Sequence, residues 1–382
     1  MNSEERILTA FNLKVPDRVP LHTIAIDGNL VDQIIGGFPK TAFDLMNDLE
    51  IQYNEGWVEK FNLMLPDLEI SIFQRMLEAA ARLGFDACCA GYIPFKFRNK
   101  KEMTDVFGRI YKVVNNEGNI LPFYYDGLIK DKETWKQFPK PDIKDICKKS
   151  KNLYKSVKRK VRDKILVMAA DDYTSIFPPV WQGMGWTPFV RALYQNPKLI
   201  QERLDMTTEL VIELFKTYSK AGAKIFFEGG DIAYKTGPLL HPKFIDKFIL
   251  PCYQKLTEKV HDWGGKIIFH SDGNITPILD FIVKSGFDGL HCLEPTANVD
   301  LKFVKKKVGD KLCILGNIDT TYILSKGNKN EVKKSVIDAI KMAGYNGGFI
   351  LSPSNSHHAI KVENLKWMIN FTHEFGKYPL EF

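Results

Sequence analysis

Short apolar runs alternate with longer segments whose apolar residues recur at helical spacing along most of the chain. The short runs predict eight strands, at residues 19–26, 86–90, 165–170, 224–227, 266–269, 289–293, 312–315 and 348–351. Each predicted strand is followed by at least one helical segment. This alternation predicts an α/β fold of the (β/α)8 or TIM-barrel type, with the strands parallel and the helices outside.

Proline and glycine mark several of the helix ends. They predict helices over residues 197–222, 242–264 and 363–375. Pro251 lies inside the second of these and is expected to kink it, because proline has no N–H to donate. Asp300 and Asn330 are predicted to be the N-caps of two further helices.

The region near residues 108–127 departs from the simple barrel. Two alternating segments, 109–114 and 120–125, flank the turn sequence NNEGN at 115–119, which predicts an inserted β-hairpin over the mouth of the barrel. An open doubly wound sheet is the alternative fold, but no glycine-rich dinucleotide fingerprint follows the first strand. With no internal repeat or low-complexity linker, residues 1–382 are predicted to form a single domain.

Composition and charge place the chain among ordinary globular proteins. Apolar residues make up 45% of the 382 residues, charged residues 26%, and the formal net charge is +7. Nine of the seventeen residues at 148–164 are basic, which favours a solvated helix face, with a docking face for an acidic partner as the alternative. The six cysteines form no C-x-x-C pair, and no signal peptide or membrane span is evident, so a cytoplasmic protein without disulfides is expected.

Polar side chains follow the predicted fifth strand, where barrel enzymes carry their chemistry. His270 and Asp272 are two residues apart, so both side chains can point to the same side of an extended segment. They form a nitrogen and oxygen pair at metal-ligand spacing. The alternative is an imidazole that its own loop orients as a hydrogen-bond donor.

Other strand ends carry similar candidates. Glu294 follows Cys292 by the same two-residue step, and a carboxylate there is unfavourable unless it is paired, ligated or hydrated. Cys292 is either a small buried hydrophobic residue or a ligand. Further polar candidates for substrate contacts at other strand ends are Asp27, Asp231, Tyr234, Lys235, Asn274, Asn317, Asn355 and His358.

Several motifs make the chain similar to the uroporphyrinogen decarboxylase superfamily. They are Pro-Asp-Arg-Val-Pro at 16–20, Asp-Ile-Ala-Tyr-Lys-Thr-Gly-Pro at 231–238, His-Ser-Asp-Gly-Asn at 270–274 and Gly-Asn-Ile-Asp at 316–319. The chain resembles in particular the corrinoid-dependent methyltransferase branch, which includes O-demethylases. The resemblance covers nearly the whole chain and implies the same barrel fold.

Two departures from family patterns narrow what the resemblance implies. Decarboxylases carry an arginine-rich motif after the first strand that clamps a tetrapyrrole, whereas residues 23–30 contain Asp27 and no arginine. Members that methylate thiols bind zinc through a His-x-Cys pair and a later cysteine. Here the pair is His270 and Asp272, and the later position falls near Ser354 or Asn355.

The resemblance therefore implies methyl transfer from an O-methylated aromatic compound to the Co(I) corrinoid of a separate corrinoid protein. His270, Asp272 and Glu294 would either hold zinc or form an acid network beside the ether oxygen, and Asp231, a further catalytic candidate, would help to orient the ring substituents. Transfer between a methyl-corrinoid protein and a thiol, a pterin or another small molecule is the alternative, and decarboxylation is a weaker one. No nucleic-acid or membrane partner is expected, and a homodimer is left open.

Overall fold

A computed structural model describes residues 1–37, 55–99, 101–116, 119–169, 175–356 and 359–381. These residues contain the strands β1 (His22–Thr23), β2 (Ala87–Ala90), β3 (Phe95–Asn99), β4 (Glu102–Asp105), β5 (Arg109–Asn116), β6 (Asn119–Gly127), β7 (Leu166–Ala169), β8 (Ile225–Gly229), β9 (Ala233–Tyr234), β10 (Gly237–Pro238), β11 (Lys266–His270), β12 (Gly289–His291), β13 (Cys313–Ile318) and β14 (Phe349–Pro353).

Eight of these strands form one parallel sheet in the order β1-β2-β7-β8-β11-β12-β13-β14. A parallel bridge between Leu21 and Leu351 joins its two edges, and the Leu351 N–H donates to the Pro20 carbonyl over 2.9 Å. The sheet is therefore closed into a barrel, and the predicted (β/α)8 fold is confirmed. All eight predicted strands correspond to barrel strands, with ends that shift by a few residues.

Helices cover the outside of the barrel, as the alternating sequence pattern predicts. The α-helices are Ser3–Phe11, Gly28–Ile35, Glu55–Leu83, Lys132–Gln137, Ile143–Val161, Phe177–Gln182, Trp186–Gln195, Pro197–Lys220, Pro242–Phe244, Leu250–Asp262, Leu279–Lys284, Leu301–Val308, Ile323–Lys326, Lys329–Ala343 and Val362–Phe375. Short 3-10 turns lie at Arg162–Lys164, Thr276–Ile278 and Pro295–Ala297. Within the ranges described above, none of the helices is long and apolar enough to cross a bilayer.

Two details of the helices differ from the sequence predictions. The segment before Pro251 is a π-helix, Ile245–Ile249, so a widened turn accommodates the residue that has no N–H. Asn330 is not an N-cap. Asn328 holds that position, and its side chain accepts from the backbone N–H groups of Asn330 and Glu331 at 2.9 and 3.1 Å. Asp300 is an N-cap, as predicted.

The predicted hairpin is part of a larger insertion. Strands β5 and β6 pair antiparallel, and β3 and β4 extend them into a four-stranded sheet that follows the carboxyl end of β2. The Tyr124 hydroxyl donates to the Gln182 carbonyl over 3.0 Å, which ties this sheet to the helix that follows β7. Residues 117 and 118 of the predicted turn lie outside the described residues.

The inside of the barrel is an apolar core below a polar rim. Alternate residues of the strands face inward, among them Met168, Phe227, Ile268 and Leu315, and the first helix closes the lower end with Phe11. The neighbouring strand residues, such as Phe226 and Phe269, face the helices. This alternation places His270, two residues after Ile268, inside the barrel at the carboxyl end of β11.

Candidate active site

His270 is the last residue of β11, and only 2% of it is exposed. Its Nε2 atom lies 3.7 Å from Oδ1 of Asp231 and 3.7 Å from Oδ1 of Asp272. These carboxyl groups come from two neighbouring loops, after β8 and after β11. The backbone N–H of Asp272 donates to Oδ1 of Asp231 over 2.9 Å, which holds the two loops together. The structure thus brings together three of the predicted catalytic residues at the rim.

Asp272 is the most heavily contacted of these carboxyl groups. The Asn355 amide donates to both of its oxygens at 3.0 and 2.9 Å, and the Cys292 thiol donates to Oδ1 over 3.3 Å. Protein surrounds the carboxyl group on most sides, although 42% of the side chain remains exposed. Burial, and then the neighbouring charge of Asp231, raise its pKa to about 6, while His270 acts in the opposite direction. Asp272 therefore changes charge in a range where enzymes commonly work.

Glu294 makes hydrogen bonds to backbone and side-chain groups of the rim loops. Its carboxylate accepts from the Gly273 N–H over 2.9 Å and from the Thr296 hydroxyl. The bond from Gly273 joins the loop after β12 to the loop after β11, so Glu294 helps to fix the backbone that carries Asp272. Among the described residues, Glu294 belongs to neither of the groups of side chains whose ligand atoms cluster closely enough for a metal ion.

The structure contains two such groups. One comprises Asp231, His270 and Asp272, and the other comprises His270, His291 and Cys292, with the ligand atoms of each group within 4.8 Å of one another. Ligand atoms bound to zinc at about 2.0–2.1 Å in a tetrahedron lie about 3.4 Å apart. The 3.7 Å separations between His270 and the two carboxylates are close to that spacing, so this donor set fits a divalent cation.

Of the remaining residues predicted to contact substrate, Asn355 contacts this centre directly, and the others have different contacts. Asn355 contacts Asp272 directly, whereas the Asn317 amide donates to the Leu293 carbonyl over 3.0 Å. Asn274 accepts from the Thr276 N–H. Tyr234, the last residue of β9, and Lys235, in the turn to β10, are both exposed. Asp27 precedes the helix Gly28–Ile35. His358 lies outside the described residues.

Sequence reasoning missed the imidazoles beneath His270. The Nδ1 atoms of His270 and His291 are 2.8 Å apart, and His22 packs edge-on against His291 with ring centroids 5.4 Å apart. Burial, and then the charge of His270, lower the pKa of His22 to about 3 and hold that of His291 well below its usual value. The only signal in the sequence was the inward position of each histidine in an otherwise apolar strand.

A second buried acid lies on the outer side of β8. Glu228 accepts from the Ile176 N–H over 2.8 Å, close to the Tyr253 hydroxyl, and is fully buried. Burial raises its pKa to about 8, so Glu228 is mainly protonated at neutral pH. It faces the helices instead of the barrel interior, and it does not contribute to the centre around His270.

Comparison with known proteins places these residues in a family. The sequence model described as "Uroporphyrinogen decarboxylase (URO-D)" matches residues 180–375, which include His270, Asp272 and Glu294. A uroporphyrinogen decarboxylase from Mannheimia succiniciproducens is 23% identical over 271 residues, covering 66% of this chain and 71% of the relative. A methylcobamide:CoM methyltransferase, MtaA, from Methanosarcina barkeri is 24% identical over 188 residues, covering 49% of this chain and 52% of the relative.

A further relative, a uroporphyrinogen decarboxylase from Coxiella burnetii, is 27% identical. The chain spans about half the length of this protein and of MtaA, 50% and 52% respectively. Among solved structures, a methyltransferase from Methanosarcina mazei superposes with a TM-score of 0.69. That alignment covers 98% of this chain and 99% of the other, at 18% sequence identity. At this identity the likeness establishes the fold.

Proposed function

The chain belongs to the uroporphyrinogen decarboxylase family, and on that premise we propose that it is a methyltransferase that works with a corrinoid protein. The relatives named above include both decarboxylases and a methylcobamide methyltransferase, so the choice between these two activities has to rest on the residues at the rim. The observation that carries the proposal is the His270 imidazole facing the carboxyl groups of Asp231 and Asp272, each at 3.7 Å.

This arrangement is unsuited to a porphyrinogen substrate. Carboxylate side chains of a tetrapyrrole are held by cationic forks, whereas residues 23–30 contain Asp27 and no arginine. At the rim itself, Asp231 and Asp272 would repel further carboxylates. A substrate whose reacting end carries little negative charge before the reaction matches these groups better.

We propose an O-methylated aromatic compound as the methyl donor. The C–O bond of the methoxy group breaks, its electron pair stays on oxygen, and the methyl carbon forms a bond to Co(I) of the corrinoid. The ether oxygen leaves as a phenolate, which is a poor leaving group unless its charge is stabilised or it is protonated. The carboxyl group of Asp272, whose pKa is raised to about 6, would hold a proton for that oxygen.

A divalent cation would fit the same residues. His270 Nε2, Asp231 and Asp272 are the donors that would hold it, and their oxygen-rich character suits a Lewis acid that polarises an ether oxygen. In both cases Nε2 of His270 lies at the centre, facing Asp231 and Asp272. Asp231 and Asn355 orient the neighbouring groups, and Glu294 holds the loop that carries Asp272.

The corrinoid is proposed to arrive on a separate protein. No D-x-H-x-x-G cobalamin-binding motif is present in the sequence. The rim at the carboxyl ends of the strands is the face where the partner would present the cobalt to the methyl group. Small methyl donors other than aryl ethers, and thiol or pterin acceptors, are the alternatives that share this architecture.

A direct assay separates these functions. The purified protein is mixed with chemically reduced cob(I)alamin and a panel of methoxybenzoates, and methylation of cobalt is followed by its visible spectrum. The proposal expects methylcobalamin with at least one donor of the panel. Failure with every aryl ether, together with carbon dioxide release from uroporphyrinogen, would replace it with decarboxylation.

A further inference from the structure

The two nitrogens of the His270 ring face different surroundings. Nε2 faces the carboxyl groups of Asp231 and Asp272, whereas Nδ1 lies 2.8 Å from Nδ1 of His291. A separation of 2.8 Å between two ring nitrogens is a hydrogen bond, in which one ring must donate and the other must accept. His291 is fully buried on β12, directly opposite His270 in the register of the two strands.

We propose that His291 is a positioning residue, which holds Nδ1 of His270 and thereby aims Nε2 at Asp231 and Asp272. The inference rests on the proposed function for what Nε2 acts on, and on the strand geometry for how Nε2 is aimed. His291 is fully buried, and its Nδ1 contacts Nδ1 of His270. Its effect on the reaction is therefore exerted through the orientation of the neighbouring imidazole.

Packing alone does not determine this orientation. The Phe227 ring packs against both imidazoles, with centroids 5.3 Å from His270 and 5.7 Å from His291, but an apolar ring forms no hydrogen bond that would fix the positions of their nitrogens. Rotating the His270 ring by half a turn would place carbon atoms where Nδ1 and Nε2 now lie. The polar contact with His291 distinguishes these two arrangements, because a carbon atom at the Nδ1 position could not take part in it.

The surroundings of His291 also indicate which ring donates. Its Nε2 has no hydrogen bond of ordinary length within the described part of the chain, but the Pro353 carbonyl lies beside the ring. A carbonyl can only accept, so it favours a proton on Nε2 of His291. Nδ1 of a neutral His291 then accepts, and His270 donates from Nδ1. This leaves the lone pair of His270 on Nε2, towards the carboxyl groups, where a cation or a proton donor requires it.

Nitrogen NMR tests this assignment without any turnover. In protein labelled with 15N-histidine, long-range proton–nitrogen correlations distinguish a protonated ring nitrogen from an unprotonated one. The wild type is expected to show His270 as the Nδ1–H tautomer and His291 as the Nε2–H tautomer. His291→Phe keeps a ring in the cavity and removes the nitrogen, so His270 is expected to lose its single tautomer.

Zinc affinity provides the second readout. Loss of a partner that orients a metal-binding histidine weakens binding roughly 10–100-fold, and that loss is expected for His291→Phe. His291→Asn places an amide oxygen, which can accept a hydrogen bond, near the position of Nδ1, and it should recover most of the affinity. His22→Phe is the matched control, because His22 is equally buried and packs on His291 without a hydrogen bond to His270. It should leave both readouts of His270 unchanged.

Three results would overturn the assignment. They are an Nε2–H tautomer of His270 in the wild type, an unchanged His270 in His291→Phe, and equal losses in His291→Phe and His22→Phe. If the wild type bound no zinc, the tautomers would still decide the role of His291. Failure of the cob(I)alamin assay with intact tautomers would reject the proposed reaction alone.

Discussion

At the scale of single residues, burial determines how the carboxyl groups of this barrel behave. Asp272 and Glu228 both follow apolar runs, yet one lies at the rim and the other behind the strand. Burial raises the pKa of both, to about 6 for Asp272 and about 8 for Glu228. The sequence predicted a role for Asp272 from its two-residue spacing to His270. The pKa of either group could not be predicted, because it depends on neighbours from other strands.

The raised pKa of Glu228 predicts that stability depends on pH. The pKa is near 4.5 in the unfolded chain and about 8 in the fold, so the folded state retains the proton between these values. This contribution to stability is fully present below about pH 4.5 and is lost as pH rises through about 8. Within that window the free energy of unfolding should fall by about 1.4 kcal/mol per pH unit from this group.

Urea unfolding of the wild type and of Glu228→Gln at several pH values measures this effect. Glutamine can still accept from the Ile176 N–H but does not titrate. The variant should therefore lose stability less steeply than the wild type between about pH 5 and about pH 8. Parallel curves for the two proteins would show that Glu228 does not retain a proton in the fold.

The roles of the buried histidines could not be predicted from the sequence around each of them. His270 was a candidate because polar residues follow it, whereas His291 and His22 are isolated polar positions in apolar strands. Their relation to His270 depends on the register between β11 and β12 and on the closure of the barrel at β1. Neither is encoded in local spacing.

At the scale of elements, periodicity predicted which segments are strands and helices more reliably than it predicted their ends. All eight barrel strands were predicted, because buried parallel strands are short, continuous apolar runs. The two further strands beside the inserted hairpin were missed. They are only five and four residues long, and the pairing of β3 with β4 shifts in register between Phe97 and Asn99. The N-cap near residue 330 was displaced by two residues, since several polar residues precede that helix.

The N-cap assignment leads to a prediction that separates two neighbouring asparagines. The Asn328 side chain accepts from two backbone N–H groups, and Glu331 completes a capping box. Asn328→Ala should lower the free energy of unfolding by about 1 kcal/mol, whereas Asn330→Ala should change it by less than about 0.5 kcal/mol. Chemical denaturation of both variants makes the comparison. Equal effects would contradict the observed cap.

At the scale of the whole molecule, a buried ion-pair network joins the first helix and the segment before β1 to the start of β2. Asp86, at the start of β2, binds Arg6 of the first helix at 2.6 Å and Arg18, before β1, at 2.8 Å. It also accepts from the Leu21 N–H over 2.9 Å, next to the bridge that closes the barrel. The sequence motif that contains Arg18 carried the family resemblance, and the structure gives it a structural role far from the rim.

Breaking this network should be strongly destabilising. Asp86 is only 1% exposed, and Asp86→Asn would leave two guanidinium groups without their shared carboxylate. We expect a loss of about 3–5 kcal/mol in the free energy of unfolding. Asp338→Asn is the control, because its pair with Lys334 is largely exposed and should contribute less than about 1 kcal/mol. Similar losses in both variants by urea denaturation would contradict this role for Asp86.

The rim as a whole combines residues that follow β8, β11, β12 and β14, which the sheet brings together from separate parts of the chain. The central proposal is that this rim is a methyl-transfer centre organised around His270. The most direct test is a single-turnover measurement with cob(I)alamin and an accepted aryl ether, comparing the wild type with His270→Ala. Retained far-UV circular dichroism should verify the fold of the variant. If His270 organises the centre, the wild type should methylate cobalt, and the rate should be at least about 100-fold lower in the variant. Equal rates in the two folded proteins would contradict it.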